Sequence, residues 1–297
     1  MRRTSHHQDD QRATCAGASM SVTERATPRV VIVTGADEAF GFRVRGWATE
    51  VCSAARPRNY AVACFDLGLS EQTREALRSL GVMLIEPGWD FDVADSVRTN
   101  EAYLRVLTVR PHLRDHLPGY DVYLWIDADV HVQHAVAIDW FVDAVRDSGM
   151  ALVPQVHHSY RHSEQTMNWR AQRMFRYFGP ASAQRTLWET YYNAGVLALS
   201  ADAPHWDAWK ARFATGIAAT QGDLVCDQSA LNEAIHADKL IVAPLPAICN
   251  WLCHLSPPLR HRVTGRFFEP GPAGREIAMV HMSSGTKKLE VFREFWA

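Results

Sequence analysis

From Arg29 onward the chain alternates between short apolar runs and longer amphipathic stretches. The run RVVIVT is β-branched and nearly free of polar residues, so it predicts a buried strand over 29–34 that opens into the loop Gly35-Ala36-Asp37-Glu38. A helical stretch over Phe42 to Ala55 follows, then a strand Tyr60 to Phe65, a helix begun by Ser70 and running to Leu80, and a strand Val82 to Glu86. This βαβαβ order requires crossover connections, hence a mainly parallel sheet with helices on its faces. A further helical region over Val97 to Leu117, broken near Pro111, leads to the apolar strand Asp121 to Ile126 and its terminus Asp127-Ala128-Asp129. Beyond it the pattern mixes helices (Ile138 to Arg146, His205 to Phe213, Asp227 to Ala237) with short strands (Val196 to Leu199, Leu240 to Val242, Ile277 to Val280). His157 to Trp188, rich in His, Arg, Trp and Tyr without a clean period, reads as mostly helical and as a candidate lid over a cleft.

Composition narrows the class. Residues 1–28 are polar and too poor in large apolar side chains to offset the entropy of ordering them, which predicts a disordered tail before one domain over 29–297. Thirty-one basic residues against thirty-three acidic leave a net charge of −2, which argues against a nucleic-acid partner. No apolar run is long enough for a signal peptide or a transmembrane segment, so any membrane association is a peripheral visit. The six cysteines fall at spacings that make no pair of metal-binding knuckles, and they read as reduced thiols of a cytoplasmic protein.

The chemistry concentrates where the strand Asp121 to Ile126 ends. Two aspartates one residue apart on extended backbone point the same way, so Asp127 and Asp129 can address one hard cation. Open α/β sheets hold ligands beyond the carboxyl ends of their strands, where this pair sits. A divalent cation there neutralises charge on a departing phosphate. An isolated D-x-D often does no more than solvate a turn; its position after three strand and helix units, with further polar motifs downstream, raises the functional reading.

Five segments together resemble glycosyltransferase family 8 and its GT-A relatives: VIVTGADEAF, YDVYLWIDADVHV, YYNAGVL, DQSALN and HMSSGTK, in that order over residues 29–288. The resemblance implies a GT-A fold, a Rossmann-like nucleotide-binding half (29–132) continuous with a mixed acceptor-binding half (133–297). It implies donor contacts from Ala36, Asp37, Arg105, Asn193, Ala194, Gly195, Gly285 and Lys287. His281 becomes the third metal ligand, Asp227 meets a donor hydroxyl, and Gln228 lies beneath the anomeric carbon. Two carboxylates and an imidazole suit Mn²⁺, with Mg²⁺ as a substitute. The implied reaction is retaining transfer of a hexose from a nucleotide diphosphate sugar, a UDP-sugar by resemblance, to a hydroxyl of a glycan, lipid-linked glycan or small molecule. Departures are Ser284 in place of a glycine, with Gly285 one position late, Lys288 in place of a proline, and Ser229 in place of a second acid. An amide such as Gln228 is a weak nucleophile, so same-face attack by the acceptor stands beside a covalent intermediate.

Other constellations carry less. His157, His158 and His162 have no acid or cysteine at ligand spacing, and Cys249, Cys253 and His254 fail likewise. The glycines fit neither a dinucleotide fingerprint nor a Walker sequence. Two rival functions are a haloacid-dehalogenase-type phosphatase, whose D-x-D follows the first strand rather than the fourth, and a silent nucleotide-sugar-binding subunit.

Overall fold

A computed structural model describes residues 27–100, 102–220, 224–272 and 274–288. All but the last two residues of the expected disordered tail 1–28 lie outside these. The opening alternation folds as expected: β1 (Val30–Ala36), α1 (Gly41–Ala55), β2 (Ala61–Asp66), α2 (Glu71–Ser79) and β3 (Met83–Ile85). Ser70 caps α2, its Oγ accepting from the Thr73 amide at 3.3 Å.

The long helical region expected over Val97 to Leu117 is broken into pieces, α3 (Asp95–Asn100), α4 (Arg105–Val109) and α5 (Leu113–His116), joined by 3₁₀ turns at Ala102–Leu104 and Arg110–His112. Pro111 lies in the second turn, where its missing amide cannot continue an α-helix. The central strand β4 (Val122–Ile126) is followed after one tight turn by β5 (Val130–Val132). Then come α6 (Val136–Ser148), β6 (Met150–Pro154), α7 (Glu164–Phe178), α8 (Pro180–Trp188), β7 (Tyr192–Ser200), α9 (His205–Thr220) and α10 (Asp227–Ala237). The segment expected to be mostly helical is so from Glu164, with loop before Ser163 and Gly179 separating its two helices. Short strands complete the order: β8 (Ala243–Pro244), β9 (Trp251–Leu252), β10 (Leu259–Arg260), β11 (Phe267–Phe268) and β12 (Met279–His281). Leu240 to Val242 is not a strand; pairing begins one residue later, at Ala243, and β8 is only an edge fragment against β6.

The main sheet has the order β3-β2-β1-β4-β7-β6-β8. Its first four strands are parallel, β7 runs antiparallel to both β4 and β6, and β8 is parallel to β6. Both faces are buried, which explains the near-continuous apolar strands. Val30 and Ile32 of β1 pack with Trp47 and Val51 of α1 and Phe141 of α6, while Val31 and Val33 face the opposite core with Trp125, Trp206 and Trp209. A smaller sheet, β5-β12-β9, stands beyond the carboxyl end of β4.

Candidate active site

The turn after β4 is built by backbone pairing on both sides. Ile126 is in register with Val196 of β7, and the Asp127 amide donates to the Gly195 carbonyl at 2.8 Å. Val130 donates back to the Asp127 carbonyl at 3.0 Å, closing the turn, and Val130 then pairs with His281 of β12. Thus one antiparallel pairing brings Asn193-Ala194-Gly195 beside the aspartates, and a second brings an imidazole from residue 281 to the same place.

Asp127, Asp129 and His281 offer one ligand atom each within 4.8 Å of one another, the one such group among the described residues. His281 Nε2 lies 3.3 Å from Asp129 Oδ1 and 3.8 Å from Asp127 Oδ2. Gly195 is required beneath them: a Cβ there would come within 2.3 Å of His281 Cε1 and 2.8 Å of Asp127 Oδ2.

Asp127 and His281 are held from behind. Asp127 Oδ1 accepts from Arg110 Nη2 and from Trp125 Nε1, both at 2.7 Å, leaving Oδ2 toward the cluster. Arg110 also donates to Asp227 Oδ2 at 2.8 Å and lies over the Trp125 ring, 5.0 Å from its centroid. Burial works against the Arg110 charge, but Asp127, Asp227 and Asp129 overcome it and raise its pKa above the ordinary arginine value.

His281 is oriented by a chain of amides whose polarity is fixed by backbone donors. Ala194 and Gly195 amides donate to Gln228 Oε1 (3.0 Å) and Asn193 Oδ1 (2.9 Å), so both of those atoms are oxygens. Asn193 Nδ2 then donates to Gln228 Oε1 at 3.1 Å, and Asn250 Nδ2 to Asn193 Oδ1 at 2.9 Å. That leaves Asn250 Oδ1 facing His281 Nδ1 at 2.9 Å, which must carry a proton, so in the neutral ring Nε2 presents a lone pair to the aspartates.

Two clefts meet at the aspartates. One, of about 300 Å³, is lined by Ala36, Asp37, Phe40, Leu104, Arg110 and Asp129. The other, of about 530 Å³, runs from Asp127, His281 and Gln228 to Trp169 and Arg170 on α7. A further cavity, of about 580 Å³, lies at the opposite end of the sheet beside Val122 and Ser200, away from these groups.

The residues expected from sequence are thus mostly gathered. Ala36 and Asp37 line the smaller cleft, Asn193 and Gln228 the larger, and Asp227 sits behind on Arg110. Gly285 is exposed, in the 3₁₀ turn Ser284–Lys288, whose first residue has φ of 58°, the left-handed backbone that a glycine would adopt more easily. The Lys287 side chain lies outside what the structure describes. Arg105 does not line either cleft: it donates to the Pro87 carbonyl at 2.8 Å, and Arg110, on the next turn of the broken helix, is the arginine that reaches the carboxylates. Sequence reading missed Arg110 and Asn250. Both interrupt otherwise apolar runs, VLTVRP and AICNWLC, and an isolated polar residue in such a run is buried and needs partners.

No known family's sequence pattern matches the chain, and no curated protein matches its sequence. Solved structures do. The galactosyltransferase LgtC, determined with donor and acceptor sugar analogs, is 18% identical, covering 90% of this chain and 95% of that one at a TM-score of 0.53. An active-site variant of LgtC gives 17% identity and 0.52 over 89% and 94%. The bifunctional glycosyltransferase WbbM, solved without ligand, gives 13% identity and 0.50, covering 74% of this chain and 39% of that one. The chain therefore has the GT-A fold of these glycosyltransferases.

Proposed function

We propose that the chain is a metal-dependent glycosyltransferase that moves a hexose from a UDP-sugar to an acceptor hydroxyl with retention, residues 29–297 forming one catalytic unit. The observation that carries this reading is the convergence of Asp127, Asp129 and His281 between two clefts at the carboxyl end of the sheet, on a fold shared with LgtC. Two carboxylate oxygens and a correctly tautomeric imidazole nitrogen fit Mn²⁺, with Mg²⁺ as a substitute. Such a cation supplies Lewis-acid neutralisation of the charge that develops on a departing nucleoside diphosphate.

The remaining work belongs to the chain. Ala36 and Asp37, at the end of β1 and just beyond it, address the nucleoside in the smaller cleft, and Gly285 with Lys287 address the diphosphate. Arg110 fixes the rotamer of Asp127 and ties it to Asp227, at the start of α10, so that the metal side and the sugar side share one rigid connection. Asn193, Ala194 and Gly195 form the floor on which the donor sugar rests. Gln228 Oε1 already accepts two hydrogen bonds, from Asn193 and Ala194, so its lone pairs are engaged and it is poorly placed to attack carbon. This favours attack by the acceptor on the face the diphosphate leaves, with a phosphate oxygen of the donor taking the hydroxyl proton.

No helix among the described residues is long and apolar enough to cross a membrane. Five cysteines are free and buried, consistent with a reducing compartment, and we infer a cytoplasmic location. The acceptor enters from the larger cleft; glycan, lipid-linked glycan and small-molecule acceptors all present the required hydroxyl.

The test is a panel of UDP- and GDP-sugars incubated with the full chain and Mn²⁺, scored for released nucleotide and for transfer. Turnover of a UDP-hexose that chelation abolishes is expected. Phosphate release from generic phosphoesters without activity on nucleotide sugars would instead indicate a phosphatase. Stabilisation by UDP and Mn²⁺ without turnover would indicate a binding subunit.

A further inference from the structure

Arg170, on the inner face of α7, is 6% exposed and lines the larger cleft. Its Nη2 donates to Gln155 Oε1 at 2.7 Å, and its guanidinium stacks over Tyr191, 4.0 Å from the ring centroid. Among the described residues no carboxylate pairs with it. This contrasts with the other buried arginine, Arg110, which has two carboxylate partners. Burial consequently pushes the Arg170 pKa down, with only Tyr191 opposing. Gln155 accepts from only one of its nitrogens. Among the described residues Nε and Nη1 have no hydrogen-bond partner, yet neither is sealed from solvent as the orphaned nitrogens Arg110 Nε and Arg185 Nε are. The guanidinium thus keeps solvent-accessible donors on a residue that lines the cleft.

A buried cation without a counter-ion is costly to maintain. The neighbouring cleft wall offers none: Gln165, Thr166, Trp169 and His254 carry no negative charge, and the cleft's two acids, Asp127 and Asp129, form the proposed metal site. A planar guanidinium with two free N–H directions in a water-accessible cleft matches a carboxylate or phosphate oxygen pair. The exposed Trp169 indole at the same end supplies an apolar face suited to a sugar ring.

We propose that Arg170 is a specificity-determining residue that binds an anionic substituent, carboxylate or phosphate, on a sugar held in the larger cleft. The substrate class is accordingly an acidic or phosphorylated sugar rather than a neutral one. This rests on the glycosyltransferase reading for the identity of the ligand as a sugar, and the test separates the two.

In the experiment, the full chain saturated with UDP and Mn²⁺ is titrated with glucose, glucuronate and glucose 6-phosphate by ligand-observed NMR. UDP-glucose and UDP-glucuronate are compared in a second arm by competition against UDP. The charged member of at least one arm is expected to bind about tenfold or more tightly than its neutral counterpart. That preference should vanish in Arg170→Gln and persist in part in Arg170→Lys, and the arm in which it appears says whether acceptor or donor carries the charge. Equal binding of charged and neutral ligands to the unaltered chain in both arms overturns the proposal, as does a preference that Arg170→Gln retains. Failure of UDP with Mn²⁺ to bind the unaltered chain overturns the glycosyltransferase reading instead.

Discussion

At the scale of single residues, the imidazole of His281 is useful only in one tautomer, and Asn250 Oδ1 at 2.9 Å selects it. Asn250→Ala removes that acceptor while leaving Asp127 and Asp129 untouched, and groups that orient metal-binding histidines are each worth about 10–100-fold in affinity. A drop of that size in Mn²⁺ affinity is expected by calorimetric titration; an unchanged affinity would show that the proton on Nδ1 is set otherwise. Arg110→Ala leaves the buried Asp227 and the partly buried Asp127 without their shared cation. Breaking a buried pair in this way costs about 3–5 kcal/mol, and urea unfolding should register a loss of that order. Asp127 and Asp129 were legible in the sequence because their spacing on a strand end is itself the signal, and His281 because the segment around it resembles a known family. Arg110 and Asn250 were not, since their importance comes from partners 117 and 31 residues distant in the chain, Asp227 and His281. Arg105 was preferred on resemblance, whereas it is Arg110, beside the break at Pro111, that reaches the carboxylates.

Among the elements, β7 does the most to assemble the site. It pairs antiparallel with β4 along Val122 to Ile126 and with β6 on its other side, where the register shifts between Leu152 and Val153. Leu152 lies opposite Leu197 but Val153 opposite Asn193, so Ala194 to Val196 are released from the β6 ladder and the Ala194 amide turns to Gln228. Gly195→Ala places a methyl group against His281 and Asp127 within this stretch. Overpacking a filled interior costs about 1–3 kcal/mol, so the variant should still fold, with a lower melting temperature and much weaker Mn²⁺ binding. Retention of full metal affinity by that variant would mean that β7 does not define the site. The long strands β1, β2 and β4 were readable because both faces are buried, which leaves unbroken β-branched runs. The fragments β5 and β8 to β11, at two or three residues each, are defined by their neighbours and carry no period of their own. The strand β6 was missed: its run MALVP is short and follows the α6 C-cap Gly149 directly.

For the whole molecule, the order of elements accounts for where chemistry can occur. The parallel β1, β2 and β4 end on one side of the sheet, and the residues at or just beyond the ends of β1 and β4, Ala36-Asp37 and Asp127-Ala128-Asp129, form one wall of the smaller cleft together. The antiparallel β7 and the small sheet beyond β4 then close the site from the C-terminal half of the chain. The alternating first half was enough to anticipate an α/β fold with a mainly parallel sheet. The mixed second half was anticipated mainly by resemblance, because its contacts are between segments far apart in sequence. The proposed catalytic roles depend on two strand-end carboxylates and His281 being able to share one cation. The most direct measurement is a titration of the full chain with Mn²⁺ in the presence of UDP, with free Mn²⁺ read by electron paramagnetic resonance. One equivalent should bind tightly to the unaltered chain and fail to do so in Asp129→Asn of unchanged circular dichroism. Mn²⁺ binding of equal strength in that variant, or none in the unaltered chain, would contradict the assignment.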